Sequence, residues 1–464
     1  MIKTNWIDIP EDQLFAMVEE LDTRGPRYTS YPTVPVWKAP LNREAYTNSL
    51  RRLGKEGKAI AVYVHLPFCR QRCLYCGCNA HITHDEARIH RYMDALETEV
   101  RKVTDEFKHP LTHSQLHLGG GTPTYVPVSR LAKLLDLVIE RIPGAESSDR
   151  SIEVDPRVTT DEHLDLLAER GFTRISAGLQ DLNADVQHAV RREYTFLEIS
   201  EFIERARSRG FLSVNIDLIY GLPMQTRRTW KDTVQAVASL RPDRLACFGY
   251  AHLPARMKHQ QAIHEEDLPT SRDRLGMLFD AHRIFGAEGY VGIGMDHFAL
   301  PEDDLAVAQD EGRLWRNFMG YTTTRGLELL GLGCSGISEF TDLFAQNISS
   351  PEVYAAAIEQ GHLPLERGHE LSADDRVTKQ IINHLMCNLE VHVPDAAEVN
   401  DEDFFARMKN AMGCVGSFEP LGLVTKNGSG YHVTQLGQLF VRNLAMPFDR
   451  YLREQSNVLF SRTV

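Results

Sequence analysis

The chain has 464 residues, 42% of them hydrophobic and 25% charged, and its formal net charge is −13 at pH 7. This length favours a large domain of barrel size with one smaller domain. The acidic balance argues against nucleic acid or an anionic lipid surface as a general partner. No apolar run approaches the roughly 20 residues that span a bilayer, so we expect no membrane insertion.

The N-terminus and the cysteines together indicate a reducing compartment. The opening stretch, MIKTNWIDIPEDQ, lacks the basic and apolar regions of a secretory signal, so we expect a cytoplasmic protein. The chain has eight cysteines, and four of them lie between positions 69 and 78. In a reducing compartment such clustering indicates metal binding or catalysis rather than disulfides.

The first 50 residues show little periodicity. A helix is predicted at 11–21, and the segment RGPRYTSYPT at 24–33 reads as extended and punctuated by proline. We therefore assign residues 1–50 to an N-terminal extension.

From about residue 59, short β-rich runs alternate with amphipathic helical stretches, which indicates βα units and a parallel sheet. The predicted strands are nearly continuously apolar, as strands covered on both faces are. They lie at 59–65, 115–120, 151–156, 174–180, 212–221 and 244–251. Between the first two strands, apolar residues recur at helical spacing from Ile89 to Phe107 and predict one buried stripe. Six units cannot close an eight-stranded barrel. We therefore predict an α/β fold with a partial (βα)6 TIM-like barrel over residues 51–300, whose working face lies at the C-terminal ends of the strands.

The periodicity changes after residue 300. We expect residues 301–375 to complete and connect the barrel, and residues 376–464 to form a mostly helical C-terminal domain. There, a helix around 377–389 precedes LVTKNGSGYHVT, a hairpin pattern with Asn427-Gly428 at its turn. A helix and a hairpin could form a DNA-binding winged helix, but that function needs a basic stripe, so a packing and lid domain is favoured.

The stretch PFCRQRCLYCGCN places Cys69, Cys73 and Cys76 at x3 and x2 spacing, with Cys78 close behind. Three thiolates can bind three irons of a [4Fe-4S] cluster and leave the fourth iron open for a substrate or cofactor. Zinc is the main alternative, but structural zinc sites usually draw two ligand pairs from separate segments, and no second pair appears. Burial of the four cysteines as apolar side chains is disfavoured because polar residues interrupt the stretch.

Other candidate residues lie at the ends of the predicted strands. HLGGGTPT at 117–124 ends a strand in three glycines, which would let a ligand approach the backbone N–H groups, although ordinary turn chemistry also explains them. Glu153, Gln180 and Asp217 lie in or after strands three to five. A buried carboxylate there needs a partner. A ligand, Arg192 or a salt bridge that supports the barrel would each serve.

The cysteine spacing after the first strand of a partial barrel resembles the radical S-adenosylmethionine (radical SAM) superfamily. That resemblance implies chelation of S-adenosylmethionine by the open iron and its cleavage to a 5′-deoxyadenosyl radical that abstracts hydrogen atoms. Over nearly the whole chain, the sequence resembles the oxygen-independent coproporphyrinogen III oxidases of haem biosynthesis. The matching stretches are GPRYTSYPT (25–33), YVHLPFC and CLYCGCN (63–79), LGGGTPTY (118–125), SIEVDPR (151–157), NIDLIYGLP (215–223), YAHLPA (250–255), GMDHFA (294–299) and RNFMGYTT (316–323).

This resemblance implies an oxidoreductase that removes a hydrogen atom from the β-carbon of a propionate, with loss of CO2 and one electron. Done on two propionates of coproporphyrinogen III, the reaction leaves vinyl groups and gives protoporphyrinogen IX. The implied iron ligands are Cys69, Cys73 and Cys76, and Cys78 is implied to be functional without binding iron. Two S-adenosylmethionine molecules are implied. The one chelated to the cluster would contact Tyr63, Gly120, Glu153 and Ile337. The second would contact Tyr75, Gly121, Thr122, Gln180, Arg192, Asp217 and Ala251.

The resemblance also implies a one-electron donor such as flavodoxin or ferredoxin, an unidentified electron acceptor and a monomeric enzyme. The N-terminal extension would be a substrate flap with Tyr28 and Tyr31. A tetracarboxylate substrate needs cations, and the candidates in or beside the matched segments are Arg24, Arg27, Arg313 and Arg316, with surface solvation as their other reading. The competing functions are a haem-binding chaperone of the same superfamily, a haem-modifying radical enzyme and a zinc-stabilised interaction module. The chaperone is disfavoured because it is expected to lack both the fourth cysteine and the YTSYPT segment.

Overall fold

The computed structural model describes residues 9–393, 399, 401–452 and 460–463. Its helices are α1 (Glu11–Leu21), α2 (Arg43–Glu56), α3 (Glu86–Glu106), α4 (Val128–Arg141), α5 (Asp161–Glu169), α6 (Ala184–Val190), α7 (Phe196–Ser208), α8 (Arg227–Ser239), α9 (Ser271–Ala287), α10 (Asp304–Asp310), α11 (Pro351–Glu359), α12 (Ala373–Asn388), α13 (Glu402–Gly416), α14 (Gln435–Gln438) and α15 (Val441–Ala445). Within the described ranges no helix is long and apolar enough to cross a membrane.

The strands are short on average, and several are only two or three residues long. They are β1 (Ile60–Leu66), β2 (Phe68–Cys69), β3 (His81–Ile82), β4 (His113–Gly120), β5 (Gly144–Val154), β6 (Arg174–Gln180), β7 (Ser213–Tyr220), β8 (Arg244–Gly249), β9 (Val291–Ile293), β10 (His297–Ala299), β11 (Trp315–Asn317), β12 (Gly320–Thr322), β13 (Leu329–Leu332), β14 (Ile337–Glu339), β15 (Leu343–Asn347), β16 (Leu365–Glu370), β17 (Glu390–Val391), β18 (Val424–Asn427) and β19 (Gly430–Val433).

The chain forms two compact units. The first, which we call the barrel unit, contains Lys38–Thr270 and Leu327–Glu370. The second unit contains Met1–Trp37, Ser271–Gly326 and Leu371–Val464. Each unit is therefore built from separated stretches of sequence.

The barrel unit contains the predicted parallel sheet, with the strand order β16-β15-β14-β13-β1-β4-β5-β6-β7-β8. The strands from β13 to β8 are parallel, and β14, β15 and β16 are antiparallel. The α/β fold with a partial TIM-like barrel is thus confirmed, and the six predicted strands correspond to β1, β4, β5, β6, β7 and β8. A seventh parallel strand, β13, pairs with β1 and was not predicted, because its four residues within GLELLGLG are too few and too glycine-rich for a periodic signal.

Helix α3 shows how the barrel unit buries its helical layer. Its apolar residues recur every three or four positions, and the predicted stripe from Ile89 to Phe107 is buried. The helix begins where the Asp85 carboxylate accepts a hydrogen bond from the N–H of Ala87 at 2.9 Å. The loop that joins β1 to α3 is the cysteine-rich segment, so this packing fixes both of its ends.

The outer strand β16 is partly covered by the chain that precedes α2. The N–H of Lys38 donates to the carbonyl of Gly368 at 2.8 Å, and the N–H of Gly368 donates back to the carbonyl of Lys38 at 2.9 Å. A glycine is required at 368, because a Cβ there would lie 2.2 Å from the carbonyl oxygen of Phe344.

In the second unit the aromatic N-terminal segment is part of the core. Tyr28 and Tyr31 are buried against apolar residues of α12, α13 and α15. Arg442 donates from Nε to the carbonyl of Pro26 at 3.0 Å and from Nη2 to the carbonyl of Gly25. The guanidinium thus ties this segment to α15.

The C-terminal hairpin differs by one residue from its prediction. Asn427 pairs with Gly430, so the turn residues are Gly428 and Ser429 rather than Asn427 and Gly428. Gly428 has a φ of 57°, which only a glycine adopts without strain at the first central position of such a turn. The predicted helix at 377–389 is α12, which ends with Leu389 in the left-handed region.

Candidate active site

The predicted cluster and cofactor residues all belong to the barrel unit, and most lie towards the C-terminal ends of its strands, as the barrel architecture requires. They occupy β1 (Tyr63), the loop between β1 and α3 (Cys69, Cys73, Tyr75, Cys76, Cys78), the end of β4 and the loop after it (Gly120, Gly121, Thr122), β5 (Glu153), β6 (Gln180), the loop after α6 (Arg192), β7 (Asp217), the loop after β8 (Ala251) and β14 (Ile337). The candidate substrate arginines and the flap tyrosines belong to the second unit.

The four clustered cysteines are free thiols in one loop. The Cys69 sulfur lies 3.4 Å from the hydroxyl oxygen of Thr122. A hydrogen bond between Cys76 and Cys78 lowers the pKa of Cys76 and raises that of Cys78. Across the described ranges, no group of three or more His, Cys, Asp or Glu side chains is placed to hold a single metal ion.

Arg192 is buried beside this loop and makes fixed polar contacts. Its Nε donates to the carbonyl of Gly178 at 2.8 Å, and its Nη1 lies 3.2 Å from the Asp155 carboxylate and 3.5 Å from the Cys73 sulfur. Burial alone would raise the pKa of Asp155, but Arg192 and Arg157 lower it to about 2. Asp155 is therefore ionised and balances part of the charge of these arginines.

The backbone at the end of β4 and directly after it is hydrogen-bonded within the protein. The N–H groups of Gly120, Gly121 and Thr122 donate to Glu153, to the carbonyl of Leu66 and to the carbonyl of Phe68, respectively, at 2.9–3.0 Å. These three N–H groups are therefore already bonded within the protein.

The glycines instead permit close backbone packing. A Cβ on Gly120 would lie 2.5 Å from the His65 ring, and one on Gly121 would lie 2.6 Å from the carbonyl oxygen of Pro67. Gly120 also has a φ of 117°.

Glu153 lies below the surface but stays open to a ligand. One oxygen accepts from the N–H of Gly120 at 3.0 Å, and the other lies 3.6 Å from Nε2 of His117. The side chain is nonetheless 46% exposed. Burial would raise the pKa of Glu153, but the nearby His117 ring and the hydrogen bond from Gly120 hold it below its ordinary value. The carboxylate is thus ionised and available to a cationic group such as an ammonium.

Tyr63 and His65 form a polar chain on β1. The Nε2 of His65 lies 3.1 Å from the backbone carbonyl of Asn79, which can only accept, so Nε2 carries the proton. The Nδ1 then accepts from the Tyr63 hydroxyl at 3.0 Å. Burial lowers the pKa of His65 to about 4, so this ring stays neutral.

Gln180 and Asp217 are adjacent on neighbouring strands. Gln180 ends β6 with a φ of 75°, and its buried Oε1 has no hydrogen-bond partner in the protein. Asp217 accepts from Asn215 at 2.7 Å and from Ser176 at 3.4 Å, and it is in register with Gly178 of β6. Gln180 is in register with Leu218, so the β6–β7 pair carries an amide and a carboxylate one register position apart.

Ile337 lies close to the strand that pairs with the Tyr63 strand. Gly331 of β13 is in register with Tyr63 of β1. A Cβ on Gly331 would lie 2.3 Å from the carbonyl oxygen of Ile337, so a glycine is needed for this approach.

The structure adds residues that the sequence reasoning missed. Gln260, which is 1% exposed, donates to the carbonyls of Tyr75 and Ala251 at 3.2 Å each and accepts from the N–H of Leu253 at 2.6 Å. His259 lies 2.7 Å from the carbonyl oxygen of Cys76. No local pattern marks either residue.

Asp155, His65 and Asn79 were also missed, although each lies in or beside a quoted stretch. Asp155 follows β5 directly, and a carboxylate just after a parallel strand is a signal that could have identified it.

These residues fit an iron–sulfur cluster with S-adenosylmethionine. Three thiols in one loop are the soft ligands that iron–sulfur clusters require. The half-open Glu153 carboxylate and the buried, unpartnered oxygen of Gln180 are acceptors that suit ammonium and hydroxyl donors of such a cofactor.

Comparison with known proteins defines the class. Residues 63–237 match the model of the radical SAM superfamily. The fold also resembles the solved structure of coproporphyrinogen III oxidase from Escherichia coli, a radical SAM enzyme, with a TM-score of 0.87 and 38% identity over 94% of this chain and 99% of that one. The radical SAM class implies a [4Fe-4S] cluster and S-adenosylmethionine.

Curated relatives identify the family within that class. The chain is 39% identical to the oxygen-independent coproporphyrinogen III oxidase of Pseudomonas aeruginosa, over 97% of this chain and 98% of that protein. It is 37% identical to the enzyme of the same name from Helicobacter pylori strain J99, over 95% and 97%. The chain belongs to the family of oxygen-independent coproporphyrinogen III oxidases.

Proposed function

We propose that this protein catalyses the oxygen-independent oxidative decarboxylation of two propionate side chains of coproporphyrinogen III to vinyl groups, which gives protoporphyrinogen IX. Each step removes one hydrogen atom from the β-carbon, one CO2 and one electron. The observation that carries this proposal is similarity over the full length of the relatives, 39% identity across 97% of the chain. The competing chaperone and haem-modifying functions gain no support from these relatives.

In this proposal Cys69, Cys73 and Cys76 bind the cluster. When bound, the cluster and S-adenosylmethionine supply the one-electron chemistry that makes hydrogen-atom abstraction possible. The chain positions these groups, because the cysteine loop is fixed by β1 and α3 at its ends and by Gln260 and His259 along its length. Cys78 is proposed to act in turnover without binding iron.

We also propose two S-adenosylmethionine molecules. Support comes from two sets of residues in the barrel unit. One joins Tyr63, Gly120, Glu153 and Ile337 through β1, β4, β5, β13 and β14. In the other set, Gln180, Arg192 and Asp217 lie around Gly178. Gln260 links Tyr75 to Ala251. Gly121 and Thr122 lie beside the cysteine loop.

The candidate arginines for the carboxylates of the substrate are not equivalent. Arg313 donates to Glu311 and to the carbonyl of Thr323, so its charge is already used locally. Arg24 is exposed, and its backbone pairs with Arg462. Arg27 is 42% exposed and lies 3.6 Å from Asp296. Arg316 is buried, and its Nε has no hydrogen-bond partner in the protein. The unpartnered Nε favours Arg316 over the other three as a carboxylate ligand.

The remaining assignments stand as proposals. The enzyme is proposed to be a cytoplasmic monomer that takes single electrons from a flavodoxin or ferredoxin and passes electrons to an unidentified acceptor. The domain limits at residues 50, 300 and 375 also stay predictions.

The decisive experiment is an anaerobic assay. The cluster is reconstituted without oxygen, and reductant, S-adenosylmethionine and coproporphyrinogen III are added. We expect 5′-deoxyadenosine and protoporphyrinogen to form together. Cofactor cleavage without decarboxylation would exclude the substrate, and haem binding without conversion would favour the chaperone. A single bound zinc without iron would exclude the radical SAM chemistry.

A further inference from the structure

The guanidinium of Arg192 lies beside the sulfur of Cys73, a contact between residues 119 positions apart in the chain. Nη1 is 3.5 Å from that sulfur, and Arg192 is only 8% exposed. A buried guanidinium is always charged, so the Cys73 sulfur has a permanent cation next to it. A contact with the second cofactor molecule, the role implied for Arg192, does not by itself require this position.

Several groups fix the guanidinium in this place. Both Nε and Nη2 donate to the Gly178 carbonyl, and Nη1 is paired with Asp155 at 3.2 Å. The ring of Tyr194 lies 5.4 Å from the guanidinium carbon. A Cβ on Gly178 would be 3.0 Å from Nη2, a tight contact that the glycine avoids.

Asp155 is itself held from two sides. Arg157 donates to its carboxylate through Nη2 at 2.6 Å and Nε at 3.0 Å, and the hydroxyl of Tyr194 also donates to it. Two arginines thus share one aspartate, and the set retains one net positive charge beside Cys73. Asp155 therefore does not fully neutralise the positive charge of Arg192, because it also neutralises part of the charge of Arg157.

We propose that Asp155 and Tyr194 are positioning residues that hold Arg192 against the Cys73 sulfur, and that Arg192 thereby raises the reduction potential of the cluster. The inference rests on the proposed function, in which Cys73 binds that cluster. Reduction adds one negative charge to the cluster, and a cation hydrogen-bonded to a ligand sulfur stabilises the added charge. The surrounding burial keeps the interaction strong, because water screens it poorly.

The test is the midpoint potential of the reconstituted full-length protein, measured by redox titration with electron paramagnetic resonance and without S-adenosylmethionine or substrate. Arg192→Gln removes the charge and is expected to weaken reduction of the cluster at least tenfold, which corresponds to about 59 mV for a one-electron couple. The matched control is Arg191→Gln, which removes an exposed charge at the neighbouring position and is expected to leave the potential unchanged.

Tyr194→Phe tests the positioning role without changing any charge. Loss of the hydroxyl leaves Asp155 less stabilised, so the carboxylate draws the guanidinium away from the sulfur, and we expect a smaller shift in the same direction. If Arg192→Gln does not retain its cluster, the potential of Tyr194→Phe tests the inference in its place.

An unchanged potential in Arg192→Gln, or in Tyr194→Phe where the first variant lacks a cluster, would overturn the inference. So would an equal shift in Arg191→Gln, since the effect would then be a general one of charge. These results would leave the proposed function standing if the unaltered protein decarboxylates coproporphyrinogen III. Failure of the unaltered protein to take up any iron would instead count against the proposed function.

Discussion

The side-chain nitrogen of Gln260 lies 3.2 Å from the carbonyl oxygen of Tyr75, although 185 positions separate the two residues. The same nitrogen reaches the carbonyl of Ala251. Gln260 therefore sets the distance between the cysteine loop and the end of β8.

Replacing Gln260 by leucine should loosen this connection. The change removes the partner of two carbonyls and of the N–H of Leu253, all in partly buried positions, and each lost hydrogen bond costs about 0.5–1.5 kcal/mol. We expect a lower thermal unfolding midpoint and weaker binding of S-adenosylmethionine by the reconstituted protein, measured by calorimetry. Gln261→Leu is the matched control, since Gln261 is exposed. Equal effects at both positions would contradict this role.

Gly120→Ala should destabilise the barrel unit. Gly120 has a φ of 117°, and a Cβ would press on the His65 ring at 2.5 Å. We expect a loss of stability of about 1–3 kcal/mol from backbone strain, with the contact adding to it. Urea denaturation followed by circular dichroism measures this loss. Gly77→Ala should be nearly neutral, because a Cβ at that position meets nothing within 4 Å.

The four cysteines should divide by iron content. Cys73→Ala is expected to abolish cluster assembly and cofactor cleavage, whereas Cys78→Ala is expected to keep its iron and sulfide but turn over more slowly. Chemical analysis of iron and the anaerobic assay measure the two effects. Cys414→Ala, at an exposed position in the second unit, serves as the control. Loss of iron from the Cys78 variant would show that Cys78 is a ligand.

Asp217→Asn should reduce the number of bound cofactor molecules. If two S-adenosylmethionine molecules bind, the loss of this carboxylate should remove the second one and leave a stoichiometry near one. Equilibrium dialysis of the reconstituted protein with labelled cofactor measures this number. Asp232→Asn, at an exposed position of α8, should bind as the unaltered protein does. A stoichiometry of one in the unaltered protein would refute the second site.

Glu99 should make stability depend on pH. Its buried carboxylate accepts from the N–H of Gly333 at 2.7 Å and from Asn347 at 2.6 Å, and burial raises its pKa from 4.5 to about 7. The folded state therefore keeps a proton that the unfolded chain releases. This contribution is complete below about pH 4.5 and is lost as the pH rises to about 7.

As the pH rises from about 5 to about 8, the urea midpoint of the unaltered protein should thus fall relative to the midpoint of Glu99→Gln, whose amide does not titrate. The contribution lost is up to roughly 3 kcal/mol. Glu201→Gln, at an exposed position of α7, should follow the unaltered protein. Parallel curves for the unaltered protein and Glu99→Gln would contradict the assignment.

The sequence predicted the features that depend on local pattern. The six apolar runs correspond to β1 and β4–β8, and the stripe from Ile89 to Phe107 is the buried face of α3. Both were predictable because the burial of an element shows directly in the pattern of apolar residues along it. Strand β13 was missed because four residues are too few to show a pattern of apolar residues. The hairpin turn moved by one residue because Gly428, rather than Asn427, takes the positive φ.

In the candidate site, too, some residues were predictable from the sequence and others were not. Cysteine spacing and family resemblance supplied the residues that would touch the cluster and the cofactor. The residues that hold them, such as Gln260 and Asp155, act over distances of 37 to 185 positions in the chain. A contact of this kind depends on the register of several strands, and no local pattern encodes it.

The pairing of Lys38 with Gly368 bears on how this protein can be produced. Strand edges with unpaired N–H and carbonyl groups recruit other strands and cause aggregation. A chain shortened to begin after Leu41 would uncover this part of β16 and offer it to neighbouring molecules. The segment before α2 is therefore a solubility element of the barrel unit, and expression of that unit by itself should retain it.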